Sequence, residues 1–167
     1  MTRGSRQVST KKCPYCESDS LNLFGSRAAT LTSVMIVQLY SSSYNDDKIA
    51  WYENDGSQGF TPHTITTLTD GAWCVYAADY DGDGDIDVLT ASYNDDYISR
   101  FENDGSQNFT AAGYLSNTSD GAESVYAADM DGDGDLDILS ASYLDGELTW
   151  YENKTSVSNG SIYFTKH

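Results

Sequence analysis

The sequence is poor in the residues that do chemistry at neutral pH or tie a chain together covalently: it has three cysteines, two histidines and two prolines in 167 residues. Positive charge is also scarce. Nine Lys and Arg stand against 26 Asp and Glu, for a formal charge of −17 and a pI near 4.1. So acidic a surface excludes direct binding to nucleic acid or to an anionic bilayer, both of which reward basic patches. Long apolar runs are missing too. The most apolar stretch, Ala28 to Tyr40, falls short of the roughly 20 residues that span a bilayer, so no direct membrane insertion is expected. It follows Arg27 and would serve as a signal h-region only behind an unusually long leader.

The scarce residues lack the context their chemistry needs. Cys13-Pro14-Tyr15-Cys16 has the spacing of a redox pair and of half a zinc ribbon. A redox pair of this kind requires a surrounding βαβ pattern, and a ribbon requires a second C-x-x-C, whereas only Cys74 remains. Residues 1–27 are therefore expected to form a disordered tail, with Lys11 and Lys12 solvated. His63 and His167 occupy no repeated position and neighbour no Ser or Cys nucleophile with a plausible partner. No catalytic residue is assigned, and an enzyme is not expected. At 39% hydrophobic the chain is nevertheless rich enough in apolar residues to fold as a globular domain.

What the chain has in excess is aspartate at every second position. The runs Asp79-Tyr80-Asp81-Gly82-Asp83-Gly84-Asp85-Ile86-Asp87 and Asp129-Met130-Asp131-Gly132-Asp133-Gly134-Asp135-Leu136-Asp137 hold ten of the 26 acidic residues. Like charges a few ångströms apart cost about 1 to 4 kcal/mol per pair at the dielectric of a protein surface. A bound divalent cation removes that cost. Calcium takes six to eight oxygen ligands at roughly 2.3 to 2.6 Å, and an Asp-rich curled loop can aim several at one centre. Side-chain ligation is assigned to Asp79, Asp81, Asp83 and Asp87, and to Asp129, Asp131, Asp133 and Asp137. Asp85 and Asp135 are assigned backbone carbonyls by analogy with other Asp-rich calcium loops. Two Ca²⁺ sites are expected. Zinc is excluded because neither run contains Cys or His, and Mg²⁺ is the weaker alternative because it retains water. An EF-hand is excluded by Thr90 and Ser140 at loop position 12, where that motif needs a bidentate Glu, and by the strand-like Ile86-Asp87-Val88-Leu89 that follows where it needs a helix.

The loops sit inside a larger repeat of 49 to 50 residues. Tyr76-Ala77-Ala78-Asp79 recurs as Tyr126-Ala127-Ala128-Asp129. Ser43-Tyr44-Asn45-Asp46-Asp47, Ser92-Tyr93-Asn94-Asp95-Asp96 and Ser142-Tyr143-Leu144-Asp145-Gly146 are copies of one turn, and Trp51-Tyr52-Glu53-Asn54, Arg100-Phe101-Glu102-Asn103 and Trp150-Tyr151-Glu152-Asn153 are copies of one strand. Within one period the pattern predicts strands at about 73–78, 86–92, 97–102 and 108–115, with an Asp-Gly hairpin signal at Asp104-Gly105. Four antiparallel strands per period is the composition of a propeller blade. The fold class is therefore all-β, a partial β-propeller of about three four-stranded antiparallel blades. The repeated aromatic residues are expected to pack between blades. Trp73, replaced by Glu123 in the next unit, is the candidate for stacking on a ligand.

On these residues each unit resembles an FG-GAP repeat of the kind found in integrin alpha-chain propellers and in bacterial VCBS repeats, from about residue 28 to about residue 165. The resemblance implies that the Asp loops bind calcium on one face of a propeller and that the protein is extracellular or on the cell surface, with an unknown protein or glycan ligand. Ser140-Ala141-Ser142-Tyr143 replaces the family's Gly-Ala-Pro and Asp120-Gly121-Ala122 its Phe-Gly, which places the chain nearer the VCBS-like members. The expected organisation is a first blade at 28–69 without a metal loop, a second at 70–119 and a third at 120–167, each of these two with a calcium loop. In the first unit Thr30, Thr32, Val34, Ile36 and Gln38 align with the five aspartates; alternatively residues 1 to about 40 are not repeat sequence. Propellers close with roughly four to eight blades, so further blades are expected from a longer parent chain or another copy. The alternative functions are a carbohydrate-binding or carbohydrate-active propeller and a structural spacer. Four Asn-x-Ser/Thr sequons, at Asn108, Asn117, Asn153 and Asn159, are compatible with secretion.

Overall fold

A computed structural model describes residues 19–25, 37–155 and 162–167. The Cys13–Cys16 motif, Lys11, Lys12, residues 30–36 of the first unit and the Asn159 sequon lie outside the described residues. Twelve strands make three sheets: β1 Asp19–Gly25, β2 Val37–Ser43, β3 Lys48–Asn54 and β4 Phe60–Thr66; β5 Ala72–Ala78, β6 Asp87–Ser92, β7 Tyr97–Asn103 and β8 Phe109–Ser116; β9 Ala122–Ala128, β10 Asp137–Ser142, β11 Leu148–Thr155 and β12 Ile162–Lys166. Each sheet is an antiparallel meander in chain order. The first strands β1, β5 and β9 lie side by side. The fold is all-β, with open sheets in a partial propeller-like arrangement.

The middle sheet explains its own sequence. Every residue of β6 is buried, because the sheet is covered on both faces: Val88 packs with Tyr40, Ile49 and Trp51 of the first sheet, and Leu89 with Val125, Ile138 and Tyr151 of the third. A strand covered on both faces needs no polar alternation. β10 has the same register but its residues Leu139 and Ala141 are only half-buried. Pro62, which cannot donate to a ladder, sits on edge strand β4.

The sheets are joined by a repeated clasp. Asp47 Oδ1 accepts a hydrogen bond from Gly71 N at 2.9 Å, and its carbonyl accepts one from Thr69 Oγ1 at 2.9 Å. Asp96 does the same one joint later, with Gly121 N at 3.0 Å and Ser119 N at 3.1 Å. Both aspartates have positive φ, 54° and 63°, a conformation that Asp tolerates better than most residues. The corresponding residue of the third sheet is Gly146.

The first sheet departs from expectation at its inner edge. Leu23 pairs with Leu39 as Ala77 pairs with Val88, so Leu23 and Phe24 fill the places of Ala77 and Ala78, which the alignment of Thr30 with Asp79 gives instead to Ala28 and Ala29. Asp19–Gly25, assigned to the tail from sequence, forms β1. The cause is a longer connection, 26–36 instead of 79–86, so that counting back at constant spacing lands inside it.

Candidate metal centre

The two Asp runs form the connections β5–β6 and β9–β10. Their curl is stabilised by side chain to backbone hydrogen bonds that a carboxylate readily accepts. Asp79 accepts from Gly82 N at 2.8 Å and Gly84 N at 3.1 Å, Asp81 from Asp83 N at 3.1 Å, and Asp83 from Asp85 N at 2.8 Å. Asp129, Asp131 and Asp133 repeat the pattern. Gly84 and Gly134 hold φ of 99° and 100°. A Cβ there would meet nothing within 4 Å, so glycine is required by backbone conformation and not by space.

These loops bring carboxylates from positions 1, 3 and 9 together. One oxygen from each of Asp79, Asp81 and Asp87 lies within 4.8 Å of the others, and Asp129, Asp131 and Asp137 form the equivalent group. That spread equals about twice a Ca–O distance of roughly 2.4 Å, the widest separation of two ligands on one ion. Asp83 and Asp133 are not in these groups. The Asp85 carboxylate points to the β7–β8 turn, where a Cβ on Gly105 would lie 2.6 Å from its Oδ2.

Asp87 and Asp137 are the two fully buried members of the set, and Asp87 is the more informative. Its Oδ1 accepts from Asn103 N at 3.0 Å, while Oδ2 is fully buried with no well-formed hydrogen bond and the Tyr80 N–H lies near the carboxylate. Burial, with the charges of Asp81 and Asp83 added, pushes its pKa from the ordinary 3.8 up to about 7, against the pull of the Asn103 and Tyr80 N–H groups. Asp81 and Asp131 are also raised, again by burial first and by neighbouring aspartates. A buried carboxylate with one poorly satisfied oxygen, clustered with two more carboxylates, is what a cation would satisfy. The all-oxygen donor set suits a hard ion such as calcium, and the residues present fit one. In the third sheet Asp137 is held by Asn153 N at 2.8 Å and Met130 N at 3.0 Å.

Several contributors were not recognised in the sequence. Asn103 and Asn153 seat the buried aspartates from the third strand of each sheet, and their side-chain amides also donate to Ile86 O and Leu136 O, each at 3.1 Å. Their recurrence in the repeated strand was the available signal. Asn153 further donates to Tyr80 O at 3.0 Å and is 1% exposed, so its sequon offers no glycan acceptor in the folded protein. Glu152 lies within hydrogen-bonding reach of Asp131, a position from which it could join the second site. At the first unit's counterpart of Asp87, Gln38 bonds to Gln107 and Tyr40, both at 2.9 Å, so neutral partners replace the charge.

The histidines correct the sequence reading. His63 stacks on Trp51 with ring centroids 4.3 Å apart and contacts Glu53 at 3.2 Å. His167 stacks on Trp150 at 4.7 Å and contacts Glu152 at 3.0 Å. They occupy equivalent places on the outer strands of the first and third sheets. The relation is hidden because five more residues separate Trp150 from His167 than separate Trp51 from His63. Trp73 packs against Tyr44 at 5.7 Å and Tyr93 at 5.2 Å, an arrangement of rings at the joint between the first two sheets.

A family model of the FG-GAP-like repeat matches residues 35–90 and again residues 79–140. The chain belongs to the FG-GAP-like repeat family. Each match contains or borders an Asp loop, and together they cover all three sheets in part. No curated protein and no solved structure matches the chain. FG-GAP-like repeats are typical of extracellular proteins, and among the described residues no helix is long and apolar enough to cross a membrane.

Proposed function

We propose that this FG-GAP-like protein binds two calcium ions, one at Asp79, Asp81 and Asp87 with Asp83 and the Asp85 carbonyl, the other at Asp129, Asp131 and Asp137 with Asp133 and the Asp135 carbonyl. The ions act structurally, in a non-enzymatic, extracellular propeller segment that binds a protein or glycan in adhesion or recognition. The observation that carries the metal reading is the convergence of the buried Asp87 carboxylate with those of Asp79 and Asp81, one oxygen of each lying within 4.8 Å of the others. A bound cation neutralises the cluster and pins the connection between the first two strands of a sheet. Asn103 and Asn153 orient the ligands, and the glycines let the loop close. Extracellular millimolar calcium suits Asp-rich sites of modest affinity.

Titration calorimetry and thermal melting in calcium and in EDTA test the reading. Two binding events are expected, and at calcium a hundredfold above Kd each adds about 2.7 kcal/mol of stability. No heat of binding together with an unchanged midpoint overturns it. Glycan binding is favoured by one observation, a cavity of about 490 Å³ lined by Trp51, His63, Gln107 and Phe109 between the first two sheets. A glycan array separates that ligand class from protein ligands.

A further inference from the structure

The two Asp runs are tied to each other through Asn153. Its side-chain amide donates to Tyr80 O of the first run at 3.0 Å and to Leu136 O of the second at 3.1 Å, and a primary amide carries two N–H bonds, enough for both. Tyr80 O belongs to the peptide unit that leads into Asp81, and Leu136 O to the one that leads into Asp137. The backbone N–H of Asn153 donates to Asp137 Oδ1 itself, at 2.8 Å. One residue of β11 thus grips a peptide beside a carboxylate of each cluster and one of those carboxylates directly. Asn153 is 1% exposed, so water is no ready substitute for these bonds.

The first run is also seated in the third sheet by a side chain of its own. The Tyr80 ring is buried with Val125, Ile138 and Tyr151. Its centroid lies 6.3 Å from that of Phe164, edge-on, and 5.8 Å from Arg100 Cζ. Asp79 and Asp81, two of the converging carboxylates of the first site, flank Tyr80 in sequence. Fixing those two carboxylates fixes the peptide between them, which Asn153 holds. Fixing Asp137 holds the same Asn153 through its backbone N–H. Filling one site therefore orders the link and leaves less to be ordered when the second fills, which is the condition for positive cooperativity without a large change of shape. Coulomb's law alone gives the opposite sign, because two dications repel.

We propose, resting on the metal reading above, that calcium binds the two sites with positive cooperativity and that Asn153 carries the coupling as a positioning residue. Ions in two independent sites would satisfy that reading equally well, so the coupling goes beyond it. Couplings between protein sites run from about 5- to 150-fold. A link made of buried hydrogen bonds between neutral groups belongs near the lower end, at about 5- to 10-fold.

Titration calorimetry of the whole, chelator-treated chain with calcium chloride at roughly 0.15 M salt reads the coupling as a ratio. Asp129→Asn with Asp131→Asn empties the second site and gives the affinity of the first alone; Asp79→Asn with Asp81→Asn gives that of the second alone. The product of the two association constants in the wild type should exceed the product of these single-site constants by about 5- to 10-fold. Asn153→Ala keeps the backbone N–H to Asp137 and loses both amide bonds, and in that background the ratio should fall to about one. The charge removed by the Asp→Asn changes is the same in both backgrounds, so it cancels in the comparison. A simple loss of stability does not move the ratio. Should Asn153→Ala fail to fold, the wild-type ratio is measured again at about 1 M salt, where charge effects are screened within roughly 3 Å and the hydrogen-bonded link persists. Two ions bound with a ratio of one or less, a ratio unchanged by Asn153→Ala, or a ratio that vanishes at high salt each overturn the coupling and leave the metal reading standing. No calcium uptake at all overturns both.

Discussion

Replacing Asp87 by asparagine should have opposite effects on stability with and without calcium. In the metal-free protein the folded pKa of Asp87 is raised from 3.8 to about 7, chiefly by burial. Between those values the folded state holds a proton that the unfolded state has released, so stability falls as pH rises through the window. The shift of about three units corresponds to an ionisation penalty of roughly 4 kcal/mol above pH 7, an upper bound because the loop can relax and admit water. The Asp87→Asn change removes the charge, keeps an oxygen for Asn103 N and offers an amide to Asp79 and Asp81. At pH 8 in EDTA the variant should therefore be more stable than the wild type by about 1 to 4 kcal/mol, worth at least a few degrees in Tm for a chain of this size. At pH 5 the wild-type carboxyl is protonated and the difference should shrink towards zero. In millimolar calcium the order reverses, because the wild type gains about 2.7 kcal/mol per site at a hundredfold excess over Kd and the variant loses a charged ligand. Differential scanning calorimetry at the two pH values, with and without the ion, reads all four conditions. Equal destabilisation by Asp87→Asn in every one would refute the reasoning.

Three other outcomes are expected. Gly84→Ala or Gly134→Ala places a Cβ on a backbone at φ near 100° and should cost about 1 to 2 kcal/mol by chemical denaturation, even though the space is free. Asn103→Ala leaves Ile86 O without its donor and Gly105 N and Gln107 N without their acceptor but keeps the backbone N–H that holds Asp87, so stability should fall by about 1 to 3 kcal/mol by chemical denaturation while calorimetry still shows calcium binding at the first site. Ile98→Ala, at a fully buried joint position, should cost about 2 to 5 kcal/mol.

The strands of the second and third units were legible because their hydrophobic pattern, hairpin signals and Asp loops repeat in one phase. The predicted 73–78, 86–92, 97–102 and 108–115 differ from β5 to β8 by one residue at most. Legibility failed where the spacing changed. A longer connection hid β1, and five extra residues hid the equivalence of His63 and His167, because pairing across strands survives insertions that sequence counting does not. In the metal loops, alternation marked all ten aspartates alike. Only the folded curl separates Asp79, Asp81 and Asp87, whose oxygens converge, from Asp83, which caps its own turn. The part played by Asn103 and Asn153 depends on contact across two strands, which no local pattern encodes.

The clasp at Asp47 and Asp96 bears on how such arrays are inherited. The first two units each carry an acceptor at the turn after the second strand, and the second and third carry, at their own entrance, the backbone donors that the previous acceptor takes. Duplicating one unit therefore duplicates a plug and a socket already matched to each other, and the new copy meets its neighbours at the old angle. Curvature is then written into a single module, and the number of modules is free to vary in the genome without any joint having to be invented again.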